Sequence, residues 1–290
     1  MDAALYGQRH GPKLSTGVPR PKVHPSAERA GAVLSLPAGR QPVRGVLLDI
    51  EGTTTPIDFV YHVLFPYARA RAKAFLDQHL DSSALLEDVA HLLAENLVDR
   101  QKGLDPPPLD HSTHQSRLDS LVAYIHWLME QDRKSTPLKS LQGKIWEEGY
   151  RKSELRGQVF SDVPPALARW QGRKIQIGIF SSGSVLAQKL LFSHTEAGDL
   201  AAFIQHYFDT TTGPKGEPAS YRKIAQAMGF QPEEMLFVSD VLAELDAARS
   251  AGMQTALCIR PGNRPVASLH SHPTIRTFEE LFPSSTAAQD

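Results

Sequence analysis

Residues 46–55 read Val-Leu-Leu-Asp-Ile-Glu-Gly-Thr-Thr-Thr. Three apolar residues run into an acid, Asp49. A second acid, Glu51, follows two positions on, and then come Gly52 and three hydroxyl side chains. An apolar run that stops at a carboxylate and then a glycine predicts a buried strand that delivers an acid to the lip of a sheet. Open parallel α/β sheets bind their ligands at that lip. Asp49 is therefore either a chemical actor or merely the polar end of a strand.

Three more strand-like runs lie outward from this one, at 174–180, 235–239 and 255–259, each short and rich in Val, Ile, Leu or Phe. Helical patterns follow most of them, at 185–194, 219–228 and 242–251. Strand then helix, repeated, predicts an α/β fold with a Rossmann-like parallel sheet and right-handed crossovers. Gly229 and Gly252 stand just past two of the helices, where a left-handed cap is wanted. Residues 58–156 break the alternation. Leu85, Leu86, Val89, Leu92, Leu93 and Leu97 are expected on one helical face, and Leu118, Leu121, Val122, Ile125, Leu128 and Met129 on another. Further helices are expected at 61–80 and 138–151, and a Pro-Pro-Pro loop at 106–108 parts the middle pair. The expected organisation is a tail (1–44), an α/β core (45–57 and 157–290) and an all-helical insert (58–156) entering after the first strand.

Four expected strand-end or loop sites carry chemistry: Asp49 with Glu51, Ser181-Ser182-Gly183-Ser184, Lys215 within Gly-Pro-Lys-Gly, and Ser239-Asp240. Taken singly, each has an ordinary reading. The serines cap a helix, Lys215 is a solvated loop lysine, and Asp240 caps the helix after it. Taken together, in this order and at successive strand ends, they suit phosphoryl transfer. A carboxylate can attack phosphorus and form an aspartyl-phosphate. Asp49, Asp240 and the backbone carbonyl of Glu51 form an oxygen-only set suited to magnesium. A serine hydroxyl of the 181–184 stretch with nearby backbone N–H groups at a helix start makes an anion cradle, and Lys215 adds a point charge for the phosphate. The Glu51 side chain is left free for acid–base work.

The whole-chain properties fit a small-molecule enzyme. Of 290 residues, 41% are hydrophobic and 22% charged, an ordinary globular balance, and the formal net charge of −1 argues against nucleic acid or an anionic membrane as the main partner. No run of eighteen apolar residues predicts a membrane helix. The single cysteine, Cys258, excludes an internal disulfide and fits a reducing cytoplasm. The basic start lacks the apolar stretch of a secretory signal. His111, His114, His270 and His272 find no third metal ligand in their surroundings in the sequence.

These motifs resemble the haloacid dehalogenase superfamily, and within it the enolase-phosphatases of methionine salvage. The resemblance is carried by Asp49-Ile-Glu-Gly-Thr-Thr-Thr-Pro-Ile57, Phe65-Pro-Tyr67, Ser181-Ser-Gly-Ser-Val185, Gln188-Lys-Leu-Leu-Phe192, Tyr221-Arg-Lys-Ile-Ala225 and Arg260-Pro-Gly-Asn263, and it covers 46–281. It implies Asp49 as nucleophile, Glu51 as acid–base, and Ser181, Ser182 and Lys215 as substrate ligands. It implies magnesium held by Asp49, Glu51 and Asp240. It also implies that 2,3-diketo-5-methylthiopentyl-1-phosphate is enolised and then hydrolysed to the acireductone, with the helical insert as a cap; a monomer is expected, with no sequence feature that fixes it. The alternative is a phosphatase of the same superfamily acting on another small phosphate ester. Ser239 and Glu244 depart from the superfamily's commoner choices.

Overall fold

The computed structural model describes residues 41–266 and 269–282. The expected tail lies outside the described residues except for 41–44, which enter as irregular chain. Strand β1 (Gly45–Leu48) is buried at all four positions. Its neighbours are β2 (Gln176–Phe180) on one side and β4 (Met235–Ser239) on the other. With β3 (His206–Phe208), β5 (Gln254–Cys258) and β6 (Thr274–Ile275) they form a six-stranded parallel sheet in the order β3-β2-β1-β4-β5-β6. The alternation of a strand sorts its side chains between two faces. Val46, Leu48, Ile177, Ile179, Leu236 and Val238 point into one core with α6 (Val163–Gly172) and α7 (Val185–Ser193). Leu47, Phe237 and Leu257 point into the other, with α8 (Pro218–Met228) and α9 (Leu242–Ser250). Gly229, with φ +75°, ends α8 in the expected left-handed cap, and Gly252, with φ +103°, follows α9.

Between β1 and β2 the ordered elements before α6 are α1 (Ile57–Phe59), a π-helical turn (Val60–Leu64), α2 (Phe65–His79), α3 (Ser83–Gln101), α4 (His114–Glu130) and α5 (Thr136–Arg151). The helix expected at 61–80 therefore starts earlier and widens. Pro66 has no N–H to offer the carbonyl of His62, and its ring crowds that carbonyl. The turn ahead of it adopts i→i+5 bonding, with Phe65 N donating to the Val60 carbonyl. Trp146 Nε1 donates to the Leu64 carbonyl at 2.9 Å and ties α5 to this turn.

The buried side of α3 runs through Leu85, Val89, Leu92, Asn96 and Asp99, while Leu86 and Leu97 are exposed, contrary to expectation. The face expected on α4 is buried from Leu118 to Leu128, with Met129 partly covered. Helix α6 and strands β3 and β6 were not expected. Pro164 and Pro165 occupy the first turn of α6, where the missing N–H groups cost nothing. The two strands span three and two residues, too few to show a period.

Candidate active site

The order β2-β1-β4 makes β1 a switch point, where the chain's direction of travel across the sheet reverses and a crevice opens at the carboxyl ends. Asp49 follows β1 directly, and its backbone N–H donates to the Val238 carbonyl of β4 at 3.0 Å. Its carboxylate is buried and held on both oxygens. Lys215 Nζ donates to Oδ1 at 2.7 Å, and Ser239 Oγ lies 3.1 Å from Oδ2. The Ile50 N–H donates to Oδ1 at 2.8 Å.

Lys215 comes from the connection between β3 and α8, with its carbonyl accepting from Tyr221 Oη at 2.7 Å and its ammonium 5.8 Å from the centre of the Phe180 ring. The ammonium also meets Glu244 Oε2 at 2.7 Å. Burial is the largest single influence on Lys215 and pulls its pKa down. The Asp49 and Glu244 carboxylates together more than reverse that pull, so Lys215 stands above its ordinary value as a firm cation. Burial, followed by the charge of Asp49, raises Glu244 above the usual carboxylate range. The same two causes raise Asp240 to about 7. Burial and then Asp49 also raise Glu51, against the opposing charges of Lys215 and Lys139. A carboxyl whose pKa burial raises takes up and gives back a proton more readily than one in water, which suits acid–base work.

The loop that presents these acids is fastened from several sides. Phe160 N donates to the Thr54 carbonyl at 3.0 Å, Asn263 Nδ2 to the Gly52 carbonyl at 2.9 Å, and Arg260 Nε to the Thr53 carbonyl at 3.1 Å. Arg260 is itself buried, with NH1 and NH2 each 2.9 Å from one oxygen of Asp162.

Of the residues expected from the sequence, Asp49 and Lys215 meet directly, while Glu51 and Asp240 stand close enough to sense the Asp49 charge. Ser181 and Ser182 follow the adjacent strand end and make no hydrogen bond to that cluster among the described residues. Ser181 is buried, and its Oγ accepts from the Gly183 N–H at 3.2 Å. Ser182 is exposed, and its carbonyl accepts from Lys139 Nζ of α5 at 3.3 Å. Ser184 takes the capping role, accepting from the Ala187 N–H at the start of α7. Sequence reasoning gave no role to Ser239 as a bridge between Asp49 and Glu244 or to Glu244 as the lysine's second partner. Their one signal is a strand-end serine with an acid five residues later, in the first turn of the next helix. Lys139 has no signal in the sequence.

The donors suit magnesium. Asp49 and Asp240 are like charges drawn close in a buried setting, which a divalent cation relieves. The Glu51 carbonyl accepts no hydrogen bond from a described residue. Gly52 leaves the space beside Asp240 open, since a Cβ there would lie 2.5 Å from Asp240 Oδ2. No group of three or more His, Cys, Asp or Glu forms a metal cluster among the described residues. His272 is instead packed against Thr255 and Asp246, at 2.8 and 3.1 Å.

The haloacid dehalogenase-like hydrolase family model matches residues 43–252. An enolase-phosphatase E1 of Synechococcus elongatus is 51% identical over 243 residues, covering 81% of this chain and 96% of that one. A probable bifunctional methylthioribulose-1-phosphate dehydratase/enolase-phosphatase E1 of Sorghum bicolor is 43% identical, with 88% of this chain matched to 51% of its length. Among solved structures, the Unknown transcript 4 protein of Saccharomyces cerevisiae aligns with a TM-score of 0.65 at 34% identity, over 82% of this chain and 99% of that one.

Proposed function

The chain belongs to the enolase-phosphatases of the haloacid dehalogenase-like hydrolases, and from that premise we propose how its own residues divide the two reactions. It is an enolase-phosphatase of methionine salvage. The substrate assigned is 2,3-diketo-5-methylthiopentyl-1-phosphate. Enolisation moves a proton off the carbon that bears the phosphate, and Glu51 is the base assigned to it. Asp49 then attacks phosphorus, the ester oxygen leaves with a proton from Glu51, and the resulting aspartyl-phosphate is cleaved by water that Glu51 activates. Lys215 neutralises the phosphate and holds the Asp49 carboxylate in place, and Ser181 and Ser182 bind the phosphate oxygens. Magnesium held by Asp49, Asp240 and the Glu51 carbonyl would offset the charge that gathers on the transferring phosphoryl group. Residues 58–156 act as the cap that excludes water over this site. The free, buried thiol of Cys258 fits the reducing cytoplasm proposed for the chain. No helix among the described residues is long and apolar enough to cross a membrane.

The observation that carries the reading is the buried Asp49 carboxylate, held at 2.7 Å by the Lys215 ammonium at the sheet's switch point. The test follows enol absorbance and phosphate release from the diketone phosphate, with and without magnesium. Asp49→Asn is expected to stop phosphate release with the fold intact, and Glu51→Gln to slow both steps. Near-normal turnover by Asp49→Asn removes the nucleophile assignment. Release of phosphate from unrelated esters at equal rates, with no enolisation, favours a plain phosphatase.

A further inference from the structure

Lys139 on α5 is a half-buried cation whose one hydrogen-bond partner among the described residues is the Ser182 backbone carbonyl, at 3.3 Å. Three other lysines of the helical region differ. Lys73 closes on Asp119 at 2.6 Å, Lys144 on Asp88, and Lys152 on Glu148. Each of those ammonium groups has a carboxylate beside it. Lys139 instead leaves the helical region and lands on the strand-end loop of the site. One of its three donors is used there, leaving two. Its charge also reaches the Glu51 carboxyl, opposing the influence of Asp49.

Resting on the function proposed above, we propose that Lys139 is a catalytic residue of the enolisation half-reaction, donating to the oxyanion that forms on the carbonyl next to the phosphate-bearing carbon. The chemistry sets where a cation is needed. Removing the proton breaks a C–H bond, and its electron pair becomes the new C=C bond. The carbonyl π pair moves onto oxygen, and the proton goes to the carboxylate base. Negative charge thus grows on an oxygen one carbon from the reacting C–H. Donors aimed at developing charge in a water-poor site are among the larger contributions to catalysis. Lys215 already has two carboxylates to neutralise, at 2.7 Å each, and sits on the phosphate side. In the function proposed, the phosphate lies against Asp49 and Lys215, and the carbon that bears it lies within reach of Glu51, the carboxyl that the Lys139 charge also reaches. Lys139 reaches the Ser182 end of this sheet edge from an element anchored to the core: a Cβ at Gly143, one turn further along α5, would lie 3.7 Å from Ser184 Oγ and 3.9 Å from Leu186 Cδ2.

The test compares the full-length wild type with Lys139→Met, Lys139→Gln and Lys139→Arg. It measures enolisation of the diketone phosphate by absorbance, phosphate release, and inhibition by inorganic phosphate. Lys139→Met and Lys139→Gln are expected to slow enolisation about 100-fold, the scale of losing one oxyanion donor. Their inhibition by inorganic phosphate is expected to stay within about twofold of wild type, and their melting temperatures close to it. Lys139→Arg is expected to recover most of the rate. The proposal is overturned if Met and Gln variants enolise at the wild-type rate, if phosphate inhibition weakens in step with turnover, or if Arg rescues nothing. It is also overturned if the enol accumulates while phosphate release fails. A wild type that leaves the diketone phosphate unchanged overturns the functional reading itself, which the lysine variants alone do not.

Discussion

Gly52 has φ +71°, and a methyl group on its Cα would lie 2.5 Å from Asp240 Oδ2 and 2.9 Å from Asn263 Oδ1. A non-glycine residue in the left-handed region costs about 1–2 kcal/mol before any clash is counted. Gly52→Ala is therefore expected to lower stability by at least about 1–2 kcal/mol. Displacement of Asp240 should lower phosphate release far more than the loss of folded protein explains. Thermal melts and phosphate assays on one preparation check this, and a variant with wild-type turnover refutes the close approach. Arg260 makes a stronger case. Its guanidinium grips both oxygens of Asp162 and lies 4.5 Å and 4.8 Å from the Phe160 and Phe278 ring centres. Removing one partner of a buried ion pair leaves the other charge uncompensated, so Arg260→Met is expected to cost about 3–5 kcal/mol in denaturant unfolding. Restoring balance with Asp162→Asn in the same chain should recover part of it. Asp49, Glu51 and Asp240 were legible because each ends or follows an apolar run, and Lys215 because it stands in a Gly-Pro-Lys-Gly turn in the right order with them. Glu244 was legible only as a neighbour of Asp240, and neither its pairing with Lys215 nor the placement of Lys139 was, since helical residues acquire such partners only through what folding brings opposite them.

Periodicity fails at the level of elements where polar groups are buried in pairs. On α3, Asp88 and Asp99 turn inward, Asp88 to Lys144 and Ser140 and Asp99 to Arg133 and Tyr124, at 2.7 and 2.8 Å for the latter two. A reading that equates the buried face with leucines therefore rotates the helix and takes in Leu86 and Leu97, which are exposed. The π-helical turn and α6 were hidden for a different reason. Proline marks both places, and sequence alone does not distinguish a proline that ends a helix from one that widens or begins it. A titratable contact between elements gives a test at this scale. His272 is buried between Thr255 of β5 and Asp246 of α9. Burial holds its pKa below the ordinary value, outweighing the upward pull of the Asp246 hydrogen bond. The unfolded chain thus takes up a proton near pH 6.5 that the folded chain resists. The contribution of neutral His272 to stability is present above that pH and is lost as pH falls below it. The melting temperature of wild type is expected to fall more steeply from pH 7 to pH 5 than that of His272→Gln. Parallel curves refute the assignment.

For the molecule as a whole, the strand order was recoverable only in part. Alternating strands and helices imply a parallel sheet, but β1 lies centrally because the chain first builds β2 and β3 to one side and then β4 to β6 to the other. No local pattern encodes that reversal, yet it creates the crevice that gathers Asp49, Lys215 and Asp240. The helical region is joined to this sheet by more than two crossings of the chain. One continuous buried cluster runs from Val46, Leu48 and Ile179 through Ile50, Phe59, Val60 and Leu64 to Leu121, Ile125 and Leu141. Apolar surface of that extent, once uncovered, returns to water at about 25 cal/mol per Å². Stability of a domain is only about 5–15 kcal/mol, so the sheet has little reserve against such a loss. Replacing residues 58–156 by a short glycine-serine linker is therefore expected to leave a chain that binds apolar dyes, associates on size-exclusion and melts without a sharp transition. A monomeric core with a cooperative melt contradicts this and makes the helical region a separable module. Such a core retains Asp49, Lys215 and Asp240 but lacks Lys139. Its residual activity would then distinguish phosphate cleavage, which the sheet edge supports alone, from enolisation, which requires the helical region.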